Sequence, residues 1–282
     1  MIVVTGASGN VGRTLVRVLA GSGREVTAVT RRPADGPLPP GVRHRQADLA
    51  HASGLEQVFE GAEALFLLVA GTGEALRPRE IAESAAASGV RRIVLLSSQL
   101  VGTRPWSPSH RALGEFETAV RESGPRWTVL RPGGFASNAF LWAESVRETR
   151  TVAAPFGDVA LPVVDPDDIA EVAAAALCED GHAGRILELT GPAALTPREQ
   201  TEALARAVGA PLRFVERGRD EARAHMARFL PASAVDGMLD VLGEPSPEER
   251  RVSRDVERVL GRPARPFSAW AERNAAAFGP AA

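Results

Sequence analysis

The stretch Met1-Ile2-Val3-Val4-Thr5-Gly6-Ala7-Ser8-Gly9-Asn10-Val11-Gly12-Arg13-Thr14-Leu15 decides the fold. A β-branched run ends at Thr5, glycines follow at 6, 9 and 12, and apolar residues then recur at Val11, Leu15, Val16, Val18 and Leu19. The run reads as a buried strand and the recurrence as a helix, which Gly21-Ser22-Gly23 stops. At the start of such a helix, backbone N–H groups point outward and attract anions, and glycines keep side chains out of the way. A dinucleotide pyrophosphate needs both features. Gly6, Ala7, Ser8, Gly9, Asn10, Val11 and Gly12 are therefore the expected cradle. The spacing is Gly-x-x-Gly-x-x-Gly rather than the commoner Gly-x-Gly-x-x-Gly, so the strand before and the helix after carry the reading. The alternative is a glycine turn that closes the unit without a ligand.

Moving outward, Glu25 to Thr30, Val42 to Asp48, Ala64 to Val69, Ile93 to Leu96 and Trp127 to Leu130 read as further strands. Pro78 to Ser88 and Ser109 to Ser123 read as helices between them. Continuously apolar strands alternating with helices indicate a parallel sheet covered on both faces, and right-handed crossovers make it doubly wound. After about residue 150 the pattern loosens. Val159 to Val164, Arg185 to Leu189 and Leu212 to Val215 suggest strands, Pro166 to Leu177 and Thr196 to Val208 helices, and 220–260 is mostly helical. The expected fold class is α/β, a doubly wound parallel Rossmann-type sheet with a small, mostly helical C-terminal lobe. The expected division is 1–150 for the dinucleotide and 151–282 for the substrate, the second part packed on the first and sharing its sheet.

The cofactor type is read at the end of the second strand, where Asp or Glu usually holds a ribose 2′-hydroxyl. Here the sequence is Thr30-Arg31-Arg32. A guanidinium suits a 2′-phosphate through paired, charge-assisted hydrogen bonds. NADP(H) is thus the expected cofactor and NAD(H) a possible one, with Arg31 ahead of Arg32. Asp48 and Leu49, after the third strand, border the adenine, although Asp48 equally suits a helix start. Leu68, Val69 and Ala70, at the exit of the fourth strand, complete this set.

Composition excludes several mechanisms. All 33 basic residues among the 282 are arginine, and the chain has no lysine and no tyrosine. No Schiff-base lysine, P-loop lysine or tyrosine acid operates here, although a GC-rich genome alone would produce the same bias. A net charge of −2 argues against nucleic acid, and one cysteine, Cys178, fits a reducing, cytoplasmic setting. No apolar run is long enough to span a membrane, and no Cys/His or carboxylate spacing suggests a metal. Asp165, Asp167 and Asp168 read as an acidic helix start. A monomer or homodimer acting on a small molecule is expected.

The glycine loop with Arg31 resembles the short-chain dehydrogenase/reductase superfamily in its atypical, NmrA-like branch. Val90 to Ser98 is similar to the branch's fifth strand. Ser123 to Phe135 with Asn138 is similar to its sixth strand and nicotinamide loop, and Val164 to Ala170 and Thr190-Gly191-Pro192 to later segments. The resemblance covers residues 1–210 well. It implies that Pro132, Gly133, Gly134 and Phe135 border the nicotinamide and that Asn138 and Trp142 face the substrate. The superfamily's Tyr-x-x-x-Lys pair is replaced: its slots fall on Ser109 and Leu113. The branch also includes redox-sensing regulators that bind the dinucleotide without turnover.

That replacement narrows the chemistry. Reduction of a simple ketone creates an alkoxide whose conjugate acid has a pKa of about 16, like water. Reduction of a quinone gives a phenolate of pKa roughly 10. The six-unit gap is worth on the order of 8 kcal/mol, so a site without a phenol acid suits a quinone or another conjugated carbonyl. Ser97, Ser98 and His110 are the candidate catalytic residues. Ser97 and Ser98 equally suit strand-end capping, and His110 a solvated helix start. Gln99 and Trp106 join Asn138 and Trp142 as candidate substrate contacts, and His225, Met226 and Phe229 suit a lid or a core. The expected activity is NADPH-dependent reduction of a conjugated carbonyl. A dinucleotide-sensing regulator and a redox-neutral isomerase or cyclase are the alternatives.

Overall fold

The computed structural model describes residues 1–279 apart from residues 34, 35, 37, 52, 53, 70, 72 and 229–231. The first half runs β1 (Ile2–Thr5), α1 (Asn10–Gly21), β2 (Val26–Thr30), β3 (Val42–Gln46), α2 (Leu55–Phe59), β4 (Ala64–Leu68), α3 (Pro78–Ala87), β5 (Arg92–Leu96), α4 (Gln99–Thr103), α5 (Arg111–Glu122) and β6 (Arg126–Pro132). The second half runs β7 (Gly134–Phe135), α6 (Ala143–Thr149), β8 (Thr151–Ala154), β9 (Leu161–Val164), α7 (Pro166–Cys178), β10 (Arg185–Leu189), β11 (Ala194–Leu195), α8 (Pro197–Val208) and β12 (Arg213–Glu216). It ends with α9 (Arg219–Met226), α10 (Ala232–Gly243), α11 (Pro247–Arg250), α12 (Asp255–Leu260) and α13 (Phe267–Arg273).

Seven strands form one parallel sheet in the order β10-β6-β5-β4-β1-β2-β3. Alternation along β1 shows why the strands read as unbroken apolar runs. Ile2 and Val4 enter one buried cluster, with α1 and α7, and Val3 enters the other, with α2, α3 and α5. Both faces are covered, so the central strands are mostly apolar, and buried threonines such as Thr5 and Thr128 have hydrogen-bonded hydroxyls. The chain reverses its direction of growth between β1 and β4, the kind of switch point at which such sheets leave a crevice at the carboxyl ends of the strands. Thr5 secures it: its hydroxyl accepts from the Leu68 N–H at 2.8 Å and donates to the Phe66 carbonyl at 3.2 Å.

The second half contributes to this sheet as well as covering it, because β10 pairs in parallel with β6 from Arg185↔Thr128 to Leu189↔Pro132. A third buried cluster joins α8, α13 and the 3₁₀ segment Ala136–Trp142. No helix among the described residues is long and apolar enough to cross a membrane.

Local details depart from the sequence pattern for identifiable reasons. The third strand stops at Gln46, because the Asp48 carboxylate accepts the Ala50 N–H at 3.0 Å and turns the chain. The helix expected from Ser109 opens as a 3₁₀ turn, Pro108–His110, and α5 starts only after His110, whose φ of −120° is not helical. The strand expected from Val159 starts at Leu161, since Val159 closes a turn on the Phe156 carbonyl. The acidic helix start is also an ionic anchor. Asp165 caps α7 and pairs with Arg273, while fully buried Asp168 pairs with Arg262 and Arg265 from the C-terminal segment.

Candidate functional site

The glycine loop is built by contact. Gly6 takes φ +63°, a left-handed conformation that suits glycine, and a Cβ there would stand 2.8 Å from Leu68 Cδ2. A Cβ on Gly12 would stand 2.2 Å from the Gly6 carbonyl oxygen, so only glycine lets α1 approach the loop. The Ala7 N–H donates to the Val29 carbonyl at 3.2 Å and ties the loop to β2. Ser8, Gly9 and Asn10 are exposed at the entrance to α1. That helix starts on Gly9 with no side-chain cap and no acidic residue in its first turn, whereas Asp165, Thr196 and Ser246 cap α7, α8 and α11. The N–H groups of the α1 start are left for an anion. Arg13, which the sequence reading passed over, donates to the Ser8 carbonyl at 3.0 Å and sets a guanidinium beside the loop. Its place directly after the third glycine was the available signal.

Arg31 and Arg32 are exposed at the exit of β2, and among the described residues neither guanidinium has a carboxylate partner. Their backbone is held. The Arg31 carbonyl accepts from Gln46 Nε2 at 3.1 Å, the Arg32 carbonyl accepts from the Thr30 hydroxyl, and Thr30 Oγ1 lies 2.7 Å from His44 Nε2. Leu49 packs on the second cluster. Ala70 and Phe229 lie outside the described residues.

The strand ends bring several expected residues side by side. Leu68 pairs with Leu96, and Leu96 with Leu130, so Leu68, Ser97 and Pro132 stand at neighbouring strand ends, about 5 Å apart per strand. Val69 follows Leu68. Ser97 is buried, and its hydroxyl donates to Glu117 Oε1 at 2.7 Å. Glu117 in turn receives Arg131 through Nε at 2.9 Å and Nη2 at 2.7 Å, and Arg121 at 2.8 Å. The Arg131 Nη1 would lie 2.5 Å from a Cβ on Gly102, so α4 closes over the pair. Ser98 caps α4 by accepting from the Leu100 N–H at 3.2 Å. Gln99 is buried, donates to the Glu248 carbonyl at 3.3 Å, and packs with its Oε1 3.4 Å from the Cβ position of Gly133. Gly133 itself donates to the Leu189 carbonyl at 3.0 Å. Phe135 packs on the first cluster, and Gly134 pairs with Val163.

Part of the second half is bolted over the end of β5. Glu249 of α11 accepts Arg104 Nε at 2.7 Å, Arg104 Nη2 at 2.9 Å and the Thr103 hydroxyl at 2.9 Å. Burial pushes the Glu249 carboxyl up, but hydrogen bonds from Arg104, the Ser246 backbone and Thr103 outweigh it and hold the group below its usual range.

The 3₁₀ turn carries a hydroxyl chain. Ser107 Oγ lies 2.8 Å from Ser109 Oγ, which lies 2.8 Å from His110 Nδ1. Gly237 of α10 packs directly on both hydroxyls, where a Cβ would stand 3.2 Å from each. Burial lowers the His110 pKa, so its imidazole is neutral at pH 7. Among the described residues its Nε2 has no hydrogen-bond partner. Asn138 is exposed and Trp142 half-buried on the 3₁₀ segment Ala136–Trp142, and Trp106 stands 91 % exposed.

Comparison with known proteins adds a family and relatives. Residues 6–180 match the model of a family described as NAD(P)H-binding. The chain is 40 % identical to a (4-alkanoyl-5-oxo-2,5-dihydrofuran-3-yl)methyl phosphate reductase from Streptomyces griseus, over 99 % of this chain and 100 % of that protein. It is 33 % identical to an NAD(P)H azoreductase from Xenophilus azovorans, over 100 % of both. An NADPH complex of the NADPH-dependent quinone oxidoreductase QOR2 of Escherichia coli superposes with a TM-score of 0.80 at 24 % identity, covering 97 % of this chain and 99 % of that one.

Proposed function

The chain belongs to the NAD(P)H-binding family, and from that premise we propose that it is an NADPH-dependent reductase of a quinone or another conjugated carbonyl. It is an NAD(P)H-dependent oxidoreductase, and the relatives that it matches from end to end are named as reductases. The cradle fits the cofactor, since the uncapped start of α1 and the glycine contacts leave room and donors for a pyrophosphate. Gly6 to Gly12, with Arg13 beside them, would hold that group. Arg31 would hold a 2′-phosphate, with Arg32 beside it. Pro132 to Phe135 would border the nicotinamide. When bound, the cofactor supplies a hydride. NAD(H) remains usable, since only the 2′-phosphate contact is lost.

The absence of any tyrosine or lysine carries the choice of substrate. With no phenol acid, the acceptor must stabilise its own developing charge, which a conjugated carbonyl does. The Streptomyces relative supports this reading, because its named substrate is an alkanoyl-substituted dihydrofuranone. His110 is the group we assign to the substrate oxygen. We assign the tautomer in which the Ser109 hydroxyl donates to Nδ1, so that the neutral ring carries its proton on Nε2 and would donate a hydrogen bond while water supplies the product's proton. Ser97 acts as a positioning residue through Glu117, and Ser98 through its cap on α4. Gln99, Asn138 and Trp142 are the proposed substrate contacts, with Trp106, 91 % exposed, as a further one. The single cysteine supports a cytoplasmic setting.

The test is isotopic. NADPH deuterated at nicotinamide C4 is mixed with the protein and a conjugated enone, and the product is analysed by mass spectrometry and NMR. Deuterium on the β-carbon of the saturated ketone is expected. Binding of NADPH with no label in the product from any enone and no oxidation of NADPH by any quinone would overturn the reading.

A further inference from the structure

The opposite, amino-terminal edge of the sheet holds a cavity of about 280 Å³ whose walls include Arg24, Arg91, Arg92, Arg126, Glu63 and Cys178. The four arginines come from separate places in the chain: the turn before β2, the turn before β5, the first residue of β5 and the first residue of β6. The parallel sheet aligns these strand starts, since Ala64 pairs with Arg92 and Arg92 with Arg126.

The local carboxylates do not neutralise this cluster. Asp180 serves both Arg92, at 2.8 Å, and Arg126, at 3.2 Å. Glu63 is 3.6 Å from Arg91 and also holds the Met1 ammonium at 3.2 Å. Arg24 has no carboxylate partner among the described residues. The nearby Glu25 and Glu179 face Arg43 and His182 instead. Arg92 also donates to the Ala176 carbonyl at 3.2 Å and to the Glu179 carbonyl, so it offsets the negative end of α7. Arg24 thus lacks a carboxylate, Arg91 shares Glu63 with the Met1 ammonium and Arg126 shares Asp180 with Arg92, so the cations around the cavity outnumber the carboxylates.

We propose that this cavity binds a small phosphoryl anion, an orthophosphate or a pyrophosphate, at a site separate from the cofactor crevice. Guanidinium groups match phosphate oxygens through forked, charge-assisted hydrogen bonds. A volume of about 280 Å³ has room for either anion. The site touches the starts of β1, β4, β5 and β6 and the end of α7, so an occupant stabilises the folded chain by mass action.

Cys178, the chain's only cysteine, lines the cavity and reports on it. The protein is saturated with NADP⁺ so that the crevice is filled. Orthophosphate and pyrophosphate are then titrated at constant ionic strength against chloride, while Cys178 alkylation by N-ethylmaleimide and the melting temperature are followed. Saturable slowing of alkylation with a rising melting temperature is expected for at least one anion, and the two titrations distinguish a monophosphate from a diphosphate. An Arg24→Ala/Arg91→Ala variant, altered only at exposed side chains, should need about tenfold more anion for the same protection, with NADPH affinity unchanged. No protection by either anion, or equal protection in the variant, overturns the proposal.

Discussion

The Ser97 hydroxyl donates to the Glu117 carboxylate at 2.7 Å, with both residues buried at the carboxyl end of β5. A serine that in sequence stands ready for a substrate carbonyl is thus engaged in holding a carboxylate. Glu117 also clamps Arg131 bidentately, one residue before Pro132, so the network fixes the end of β6, where the loop proposed to border the nicotinamide begins. Replacing Ser97 with Ala should cost about 1.5–3 kcal/mol, the range for a hydrogen bond to a charged group. Glu117→Leu strands Arg131 and should cost about 3–5 kcal/mol. Denaturant unfolding checks both, and a larger loss for Ser97→Ala than for Glu117→Leu would contradict the arrangement.

The glycine loop gives a graded prediction. Gly12→Ala forces a methyl group to 2.2 Å from the Gly6 carbonyl oxygen, while Gly9→Ala brings one only to 3.3 Å from it. Gly12→Ala should abolish measurable NADPH binding or unfold the loop, and Gly9→Ala should weaken binding much less. Fluorescence titration with far-ultraviolet circular dichroism as a folding control separates these outcomes. Equal losses would mean that the close approach of α1 does not set the site.

Arg31 bears on cofactor choice. Its exposed guanidinium lacks a carboxylate partner among the described residues, so its removal leaves no buried charge behind. Arg31→Ala should weaken NADPH by about tenfold or more, the value of one charge-assisted contact, and leave NADH nearly unchanged. Parallel titrations decide the matter, and equal losses for the two cofactors would remove the 2′-phosphate contact.

His110 should act as a hydrogen-bond donor rather than as an acid. Burial lowers its pKa below the ordinary histidine value, so the neutral imidazole predominates between about pH 7 and 8. The kcat/KM for a quinone should therefore change little over that window. His110→Ala should lower kcat by about 10²–10³, as for an oxyanion donor, and His110→Gln, which keeps an N–H donor, should recover part of it. A rate that falls steeply as pH rises through that window would instead mark an imidazolium acid.

Acid should loosen the second half before the sheet. At Glu249, and likewise at Glu171, burial raises the carboxyl pKa but arginine hydrogen bonds outweigh it and hold the group below its ordinary value. A lowered folded-state pKa adds stability that is complete above the ordinary carboxylate pKa and is lost as pH falls through the folded value. Limited proteolysis from about pH 5 down to 3 should cut near α11 and the segment bearing Arg262 and Arg265 before it cuts the β1–β6 core. Simultaneous cutting throughout would contradict this order.

Some of this was legible in the sequence and some was not. Gly6, Gly9 and Gly12 announced the loop, and continuous apolar strands announced the sheet, because both signals are local and periodic. The partners of Asp168 were not legible: Arg262 and Arg265 lie 94 and 97 residues away, and an acidic helix start looks the same whether or not arginines fold back on it. Glu249, tied to Arg104 across 145 residues, was hidden for the same reason. Ser97 looked free because its partner belongs to a helix whose burial pattern marks the core face but not what a buried carboxylate touches. The short α4 and β7 have five and two residues, too few for any period to show.

The central claim is reduction without a phenol acid, and substrate range tests it most directly. The purified protein is incubated with NADPH and, separately, with a series of quinones, conjugated enones and unactivated ketones, and cofactor oxidation is followed by absorbance. The account predicts turnover of quinones or enones and none of the simple ketones. Reduction of an unactivated ketone at a comparable rate would contradict it.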